Sequence, residues 1–296
     1  MRDITTQATN KVNIIGKLLD VTFGEGKLSD GRFYERATLT VRVNKTFDGK
    51  EEISEPQVSI FAPQYTSTGK PSAAFETIQK LKTFKTAQNV GLDEADRVRI
   101  TGANIRENNF VTRGGQLVNT WQINTSFINE GRGSDIATLT VDGFIMDMYD
   151  ETDREGEVTG RLIVKVGVVG YNSTLDVLEF VVEEPSKADY ISRNWNINDT
   201  VNIVARIRVT SKEIQGPAKE SSWGETISET STQFVRELVI TGGSDEGFEE
   251  EFAYDPTEIK KIFNVRKAKI EQLQMEARTA AQKPVEKPSA AKYSWE

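Results

Sequence analysis

The sequence predicts an all-β protein in which one small barrel of five strands occurs twice, followed by a C-terminal helix and a flexible tail. NKVNIIGKLLDV begins at residue 10 and VDGFIMDM begins at residue 141, and the two align without a gap when Gly16 is placed on Gly143, 127 positions later. ATLTVRVNK (37–45) alternates apolar and polar residues with a period of two. Such alternation is typical of a strand with one buried face.

Each half of the sequence gives its signals in the same order: two strands, a short third strand, a helix, a fourth strand and a closing strand. In the first half, the segments after the alternating strand are PQVSIFA (56–62), the helical SAAFETIQKLKTF (72–84), DRVRITGANIRE (96–107) and QLVNTWQINTSFI (116–128). In the second half, the segments after the first strand are GRLIVKVGVVGY (160–171), LDVLEFVVEE (175–184), the helical SKADYISRNW (186–195), DTVNIVARIRVTS (199–211) and TQFVRELVITG (232–242). We therefore expect a first domain over residues 1–130 and a second over residues 134–243.

The remaining residues, 244–296, are expected to form an acidic and aromatic linker, an amphipathic helix and a disordered tail rich in proline and lysine. Asp255 and Glu258 have the spacing of a capping box, which predicts that the helix begins there. An apolar stripe at helical spacing starts at Ile259 and is interrupted by Arg266. Such a helix is expected to dock on its own protein or on a partner.

The composition restricts the chemistry that the chain can perform. The 296 residues include no cysteine and no histidine, which excludes disulfides, cysteine or histidine metal sites, and Ser-His-Asp or Cys-His catalysis within this chain. We expect no enzymatic activity, no cofactor and no bound metal. The N-terminus has no apolar stretch of the kind found in signal peptides, and no apolar run approaches the ~20 residues that span a bilayer. The expected location is the cytoplasm, or the host cytoplasm if the protein is viral, without membrane association.

The charge is unevenly distributed along the chain. The formal net charge is −8, but residues 1–130 carry a net charge of +2, whereas residues 131–243 carry −8. A polyanionic ligand is attracted by the local charge distribution more than by the total. The first domain is therefore the better candidate for contact with nucleic acid.

The order of strands, with one helix between the third and the fourth, is that of the OB-fold, a five-stranded Greek-key barrel. NKVNIIGKLLD with an alternating strand ending in VNK, VSIFA before a helix, and RVRITG with NIRENN before a hairpin resemble the bacterial and bacteriophage type of single-stranded-DNA-binding protein. The resemblance implies tandem OB-folds that coat and protect single-stranded DNA during replication or recombination, without strong sequence preference. It also implies replication or recombination proteins as partners of the C-terminal region, and it is compatible with a homo-oligomer.

Binding of a single strand requires cations along the backbone and aromatic faces for the bases. Strand parity and loop position give these candidates in the first domain: Tyr34, Arg36, Arg42, Phe47, Phe61, Tyr65, Arg97, Arg99, Phe110 and Arg113. The second domain offers Arg161, Lys165, Arg206 and Arg208 as possible contacts, although acidic residues crowd its first hairpin. Trp121 shares its strand face with Ile123 and Phe127 and is expected in the core.

The C-terminal region contains aromatic residues among acidic ones, which is similar to the partner-recruiting tip of single-stranded-DNA-binding proteins. The candidates for partner binding are Phe248, Phe252, Tyr254 and Trp295. Three alternatives stay open at this point. The barrels could form a structural or assembly adaptor that binds proteins, the acidic clusters could hold magnesium for a nuclease, or the ligand could be RNA.

Overall fold

The computed structural model describes residues 1–47, 49–112, 114–153, 155–215, 219–220, 226–227 and 230–282, with side chains described over 1–47, 49–112, 114–153, 155–211 and 234–279. The chain is mostly β with a long C-terminal helix, as the sequence predicts. The strands are β1 Asn10–Lys27, β2 Phe33–Phe47, β3 Lys50–Ser54, β4 Gln57–Pro63, β5 Arg97–Val111, β6 Leu117–Asn124, β7 Asn129–Glu130, β8 Ile136–Thr152, β9 Val158–Val169, β10 Leu175–Val182, β11 Thr200–Gln215, β12 Lys219–Glu220, β13 Thr226–Ile227 and β14 Thr230–Gly243. The α-helices are α1 Ala73–Leu81, α2 Ala87–Val90, α3 Pro185–Asn194 and α4 Pro256–Gln282.

Five strands of the first half form a closed ring. β1 pairs with β2, β2 with β4, β4 with β6 in parallel, β6 with β5, and β5 again with β1. Helix α1 lies between the third and fourth strands of this ring in chain order, begins after the cap residue Ser72 and buries Ile78 and Leu81. The ring encloses an apolar core because the inward positions of the alternating strands, such as Leu39 and Val41, are fully buried.

The second half repeats this pattern of pairing. β8 pairs with β9, β9 with β10, β10 with β14 in parallel, β14 with β11, and β11 with β8. Helix α3 stands between β10 and β11, has proline in its first turn and buries Ile191. The buried Trp195 follows the helix and donates from Nε1 to the carbonyl of Ser244 at 3.0 Å.

The first strands of the two rings pair with each other, which makes one continuous sheet. β1 and β8 run antiparallel from Asn10 opposite Val141 to Ile15 opposite Ile136, with Val12 opposite Leu139 at the centre. Val12 and Leu139 are also 127 positions apart, so the pairing is centred on two corresponding residues of the halves. The two rings are therefore related by a local two-fold axis through this pair.

A bulge occurs at the same place in both first strands. The register of β1 against β2 shifts between Leu18 and Asp20, and that of β8 against β9 shifts between Ile145 and Asp147. These positions again correspond at a spacing of 127 residues. Bulges bend a strand and increase its twist. In each ring, the bulge therefore bends the first strand, β1 or β8, away from the β1–β8 pairing and towards the next strand of its own ring.

The β2–β3 hairpin of the first ring reaches across to the second ring. Ser54 Oγ donates to the carbonyl of Ile207 and accepts from the N–H of Val209, both at 2.9 Å. The Glu55 N–H donates to the Val209 carbonyl at 2.7 Å. Phe47 lies under the Arg206 guanidinium, 4.4 Å from the ring centroid. The prediction that Phe47 is available for stacking on bases is therefore corrected, because its ring is part of the contact between the two rings.

The acidic and aromatic segment after β14 docks against the chain's own N-terminus. The Phe248 N–H donates to the Thr200 carbonyl at 2.7 Å, and the Tyr254 hydroxyl donates to the Thr6 carbonyl at 2.8 Å. Tyr254 is 1% exposed, and burial raises its pKa to about 12. The assignment of Tyr254 to partner binding is wrong, because its side chain is occupied within the chain. Trp295 lies outside the described residues.

Helix α4 crosses back to the first ring. The guanidinium of Arg266, which interrupts the apolar stripe of the sequence, forms an ion pair with Glu107 of β5. Asp176 of β10 lies beside this pair and accepts a hydrogen bond from the Glu107 N–H. Burial raises the pKa of Asp176 to about 6, although Arg106 and Arg266 favour its charged form. No helix in the described part of the chain is long and apolar enough to cross a bilayer.

The corresponding glycines Gly16 and Gly143 give a first prediction. A Cβ at Gly16 would stand 2.2 Å from the carbonyl oxygen of Arg42, which is fixed in a strand pair, and a Cβ at Gly143 would stand 2.0 Å from Cγ1 of the fully buried Val166. We expect Gly16→Ala and Gly143→Ala each to lower the free energy of unfolding by about 2–3 kcal/mol, since neither a paired strand carbonyl nor a buried β-branched side chain can move aside easily. Urea unfolding measures both.

The control for this comparison is Gly242→Ala, because a Cβ there has no atom within 4 Å. It should change the stability by less than about 0.5 kcal/mol. An equal loss for all three variants would contradict the close approach at Gly16.

Asp176 gives a second prediction. Its pKa is higher in the folded chain than the ordinary 3.8, so its contribution to stability is fully present below that value and is lost as the pH rises through about 6. We expect Asp176→Asn to be more stable than the wild type by roughly 1–2 kcal/mol at neutral pH, with the difference vanishing near pH ~4. Thermal unfolding across this pH range measures the difference. The exposed control Asp189→Asn should show no such pH-dependent gain, and a loss of stability in Asp176→Asn at neutral pH would refute the assignment.

Candidate nucleic-acid interface

Three neighbouring strands of the first ring place aromatic and basic side chains on one outer surface. In the register of β1, β2 and β4, Gly24 is opposite Arg36, and Arg36 is opposite Phe61. Gly26 is opposite Tyr34 in the adjacent outward row. The residues between them in β2 face the core, so the period of two forces these side chains outward. We call Tyr34, Arg36 and Phe61, with Gly24 and Gly26, the aromatic face.

The two glycines allow the side chains from β2 to lie flat across β1. A Cβ at Gly24 would stand 2.7 Å from Arg36 Nε, and a Cβ at Gly26 would stand 2.7 Å from the Tyr34 hydroxyl. The Tyr34 and Phe61 rings contact each other at 4.9 Å between centroids with a tilt of 40°. Phe61 is 54% exposed. The result is a surface pair of aromatic rings with a guanidinium at its edge.

The underside of β2 fixes the orientation of this face. Glu35, between Tyr34 and Arg36, is buried and accepts from Lys82 Nζ at 2.9 Å and from Gln79 Nε2 at 2.8 Å. A buried carboxylate without such partners would be costly, so these bonds with the region of helix α1 hold β2 in its register. A slip by one residue would turn the aromatic face towards the core.

The aromatic face continues into a polar pocket of about 330 Å³ between two phenylalanines. Phe61 stands on one side and Phe127, 56% exposed, on the other, and the pocket is lined in between by Ser59, Thr101, Gly102, Asn104, Asn124, Thr125 and Ser126. Asn104 Oδ1 is buried and has no hydrogen-bond partner among the described residues. Trp121 is buried as expected, but Phe127 does not share its strand face, because β6 ends at Asn124 and its alternation does not extend to residue 127.

The other predicted contacts of the first ring differ in their availability. Arg42 is paired with Glu55 at 2.5 Å, and Arg97 is paired with Asp135 at 2.5 Å, so neither cation is free. Arg99 is exposed on β5, and the described residues give neither Arg36 nor Arg99 a carboxylate partner. Tyr65 and Phe110 are exposed but do not line the pocket, and Arg113 lies outside the described residues.

The second ring has carboxylates where the first has its aromatic face. Asp20 is opposite Thr40 in the first ring, and the corresponding Asp147 is opposite Lys165 in the second, so Lys165 corresponds to Thr40. Four residues earlier on each strand, Arg161 therefore corresponds to Arg36. The pairing of β9 with β10 ends with Leu162 opposite Val182. The next residue, Glu183, therefore corresponds to Phe61, which lies opposite Arg36 in the first ring. Glu151 stands in the place of Gly24 by the spacing of 127 residues.

These carboxylates neutralise the arginines that the sequence offers as second-ring contacts. Arg161 pairs with Glu151 and Glu237, Lys165 with Glu179, Arg206 with Glu183 and Glu52, and Arg208 with Glu183, Glu237 and Glu52. Arg208 holds the pKa of Glu183 below its usual range by hydrogen bonding. Among the described residues, ion pairs therefore occupy all four of the possible second-ring contacts, Arg161, Lys165, Arg206 and Arg208. These cations have structural partners, and Glu52 belongs to the first ring.

Sequence reasoning missed Gly24, Gly26 and Phe127. FGEG (23–26) contains two glycines at a spacing of two within a strand pattern, and such glycines indicate a place where another group approaches the backbone closely. That signal was available in the sequence. Within the described residues, no group of three or more acidic side chains is arranged to hold a metal ion.

Comparison with known proteins gives a family and a fold. A sequence model of the family described as YorF matches residues 8–276. No curated protein sequence matches the chain. The wild-type single-stranded DNA binding protein from Thermus aquaticus is similar in structure, with a TM-score of 0.52 and 11% identity over 85% of this chain and 99% of that chain. A deletion variant of the same Thermus aquaticus protein gives a TM-score of 0.48 and 13% identity over 84% of this chain and 98% of that chain. The resemblance seen in the sequence is thus confirmed at the level of the fold.

The ion-pair network of the second ring gives a third prediction. Glu183 binds two arginines, so we expect Glu183→Gln to lower the free energy of unfolding by roughly 1–2 kcal/mol at neutral pH. The pKa of Glu183 is lowered on folding, so the wild type should lose this advantage as the pH falls below the ordinary glutamate value. The control is Glu179→Gln, whose exposed carboxylate pairs with a single cation of the described chain, Lys165. Equal unfolding midpoints for the two variants would show that the network adds no stability.

Proposed function

This chain belongs to the YorF family, and we propose that it binds single-stranded DNA through the aromatic face of its first ring. The observation that carries the proposal is the Tyr34–Phe61 platform beside Arg36, a cation without a carboxylate partner among the described residues. Stacking on aromatic rings and contact of cations with phosphates are the two requirements for binding a single strand. The fold shared with the Thermus aquaticus protein supports the proposal, because that protein is a single-stranded DNA binding protein.

The geometry supports a ligand of low sequence preference. Every base has a π-face, so the Tyr34 and Phe61 rings accept any base. Arg36 and Arg99 are placed to meet backbone phosphates, and the polar pocket offers side-chain amides such as that of Asn104 to base edges. A paired duplex keeps its base faces stacked within the helix, so the aromatic face selects single strands.

We further propose that the two rings are tandem OB-folds derived from one duplicated unit. The identical pairing order, the corresponding bulges and the pseudo-symmetric pairing of β1 with β8 support this. The first unit spans residues 1–130 and the second spans 134–243. In this arrangement the second unit is a scaffold, because ion pairs occupy the surface that corresponds to the aromatic face.

The proposed cellular task is to coat and protect transient single strands in replication or recombination, without catalysis. Among the predicted partner-binding residues, Phe252 is exposed, and it lies between Glu251 and the buried Tyr254. Recruitment of a partner protein through this segment therefore rests on Phe252 and the surrounding carboxylates. The alternative function, a structural or assembly adaptor that binds proteins, predicts no affinity for oligonucleotides.

A fourth prediction tests the proposed site. Phe61→Ala should weaken binding of a fluorescently labelled dT oligonucleotide about tenfold or more, since loss of one base stack costs ~1–3 kcal/mol. The matched control is Phe252→Ala, which removes an equally exposed phenylalanine outside the aromatic face. Fluorescence anisotropy measures both affinities, and a rU oligonucleotide of the same length compares RNA with DNA. Unchanged binding by Phe61→Ala would exclude the aromatic face as the site.

A further inference from the structure

The fourth and fifth strands of the second ring form a ribbon that reaches the end of the first ring. β11 and β14 stay paired beyond the core of their own ring, with Val209 opposite Arg236 and Ser211 opposite Phe234. The Arg236 guanidinium lies 4.3 Å from the ring centroid of Trp121 in β6 and donates to the Trp121 carbonyl at 2.8 Å. Phe234 is 70% exposed. The ribbon therefore presents an arginine and a phenylalanine at the junction of the two rings.

Arg236 differs from the other arginines at this junction in lacking a carboxylate partner. Arg206 and Arg208 bind Glu52 and Glu183, whereas no ion pair of Arg236 occurs among the described residues. Desolvation alone lowers the pKa of Arg236. A guanidinium has five N–H donors, and Arg236 makes one hydrogen bond within the described part of the chain, to the Trp121 carbonyl. Among the described residues its other donors have no protein partner, so they can meet an anionic ligand.

Two clefts meet at Phe234 and Arg236. One, of about 320 Å³, is lined by Thr40, Glu55, Gln57, Val209, Thr210 and Ser211 together with these two residues. The other, of about 590 Å³, also includes both residues and extends to Asn119 and Lys165. The acidic side chains of both clefts are paired, Glu55 with Arg42, Glu107 with Arg266 and Glu179 with Lys165. Arg236 is therefore the uncompensated charge of this junction within the described chain.

The first cleft opens onto the same outer surface as the aromatic face. Thr40 and Gln57 form the outward pair of β2 and β4, four residues along β2 from the pair of Arg36 and Phe61. At ~3.3 Å per residue this separation is roughly 13 Å. Ser59 and Thr38 lie between the two pairs. An extended polymer on the aromatic face can thus continue along one strand surface into the cleft.

We propose that Phe234 and Arg236 form a second contact for the same single strand, in which Phe234 stacks on a base and Arg236 binds a backbone phosphate. The inference rests on the proposed function, and it extends the bound length from the first ring to the junction with the second. The second ring then contributes to binding through its ribbon, although the surface that corresponds to the aromatic face is closed by ion pairs.

The test compares two lengths of labelled dT, since one OB-fold covers ~4–16 nucleotides. With an oligonucleotide of about 4 nucleotides, which spans only roughly 14 Å at ~3.4 Å per stacked nucleotide, Phe234→Ala should bind like the wild type, because a ligand of this length centred on the aromatic face does not reach the junction. With about 30 nucleotides, Phe234→Ala and Arg236→Gln should each bind about fivefold or more weakly than the wild type. Arg236→Gln should also reduce the slope of log K against log salt by about 0.7, the value for one phosphate contact on a single strand.

Controls distinguish the loss of this second contact from misfolding of the variant and from failure of the proposed function. Arg236→Lys should restore the salt slope, and thermal unfolding of each variant shows whether the packing on Trp121 persists. If Arg236→Gln does not fold, Phe234→Ala decides, because its exposed ring can be removed without a packing defect. If the wild type binds neither length, the proposed function fails. If the wild type binds, Phe61→Ala weakens both lengths and Phe234→Ala weakens neither, only the second contact is refuted.

Discussion

The antiparallel pairing of β1 with β8 is the constraint on which the rest of the structure depends. It joins two strand rings into one sheet and centres them on Val12 and Leu139, both fully buried. Because each strand bulges at the corresponding place, the hairpins leave the shared sheet in a symmetric way. The β2–β3 hairpin and the β11–β14 ribbon can then each reach the opposite ring, through Ser54 in one case and Arg236 in the other. The hydrogen bonds of this pairing satisfy backbone groups that an edge strand would otherwise expose.

The two rings have the same pairing but opposite surface chemistry. In the first, glycines in β1 leave room for Tyr34 and Arg36 to lie beside Phe61. In the second, the corresponding places hold Glu151, Arg161 and Glu183, where Glu151 pairs with Arg161 and Glu183 pairs with Arg206 and Arg208 of β11. Charges committed to internal ion pairs give little attraction to an external phosphate. For this reason the first ring is proposed as the binding surface, and the second ring is proposed as a scaffold whose β11–β14 ribbon also contacts the ligand.

Strand parity was enough to predict much of the fold and half of the candidate site. The alternation in β2 separates buried Leu39 from outward Arg36, and the match of Gly16 with Gly143 predicts that β1 corresponds to β8. The alternation of residues along a strand does not predict which residue an outward charged side chain pairs with. Arg208 and Glu52 are 156 residues apart, and Tyr254 bonds to Thr6 across 248 residues. Those contacts exist only once the chain has folded back on itself, so the availability of each arginine and aromatic ring had to come from the structure.

Base stacking and phosphate contact are the two interactions by which this chain is proposed to hold single strands. The most direct measurement is the affinity of the wild-type chain for labelled dT and for a duplex of matched length, by fluorescence anisotropy over a series of salt concentrations. Affinity for dT is expected to fall with salt by about 0.7 in the slope of log K against log salt for each phosphate contact, and the duplex is expected to bind much more weakly. Absence of dT binding at low salt, or equal affinity for the duplex, would contradict the proposed function.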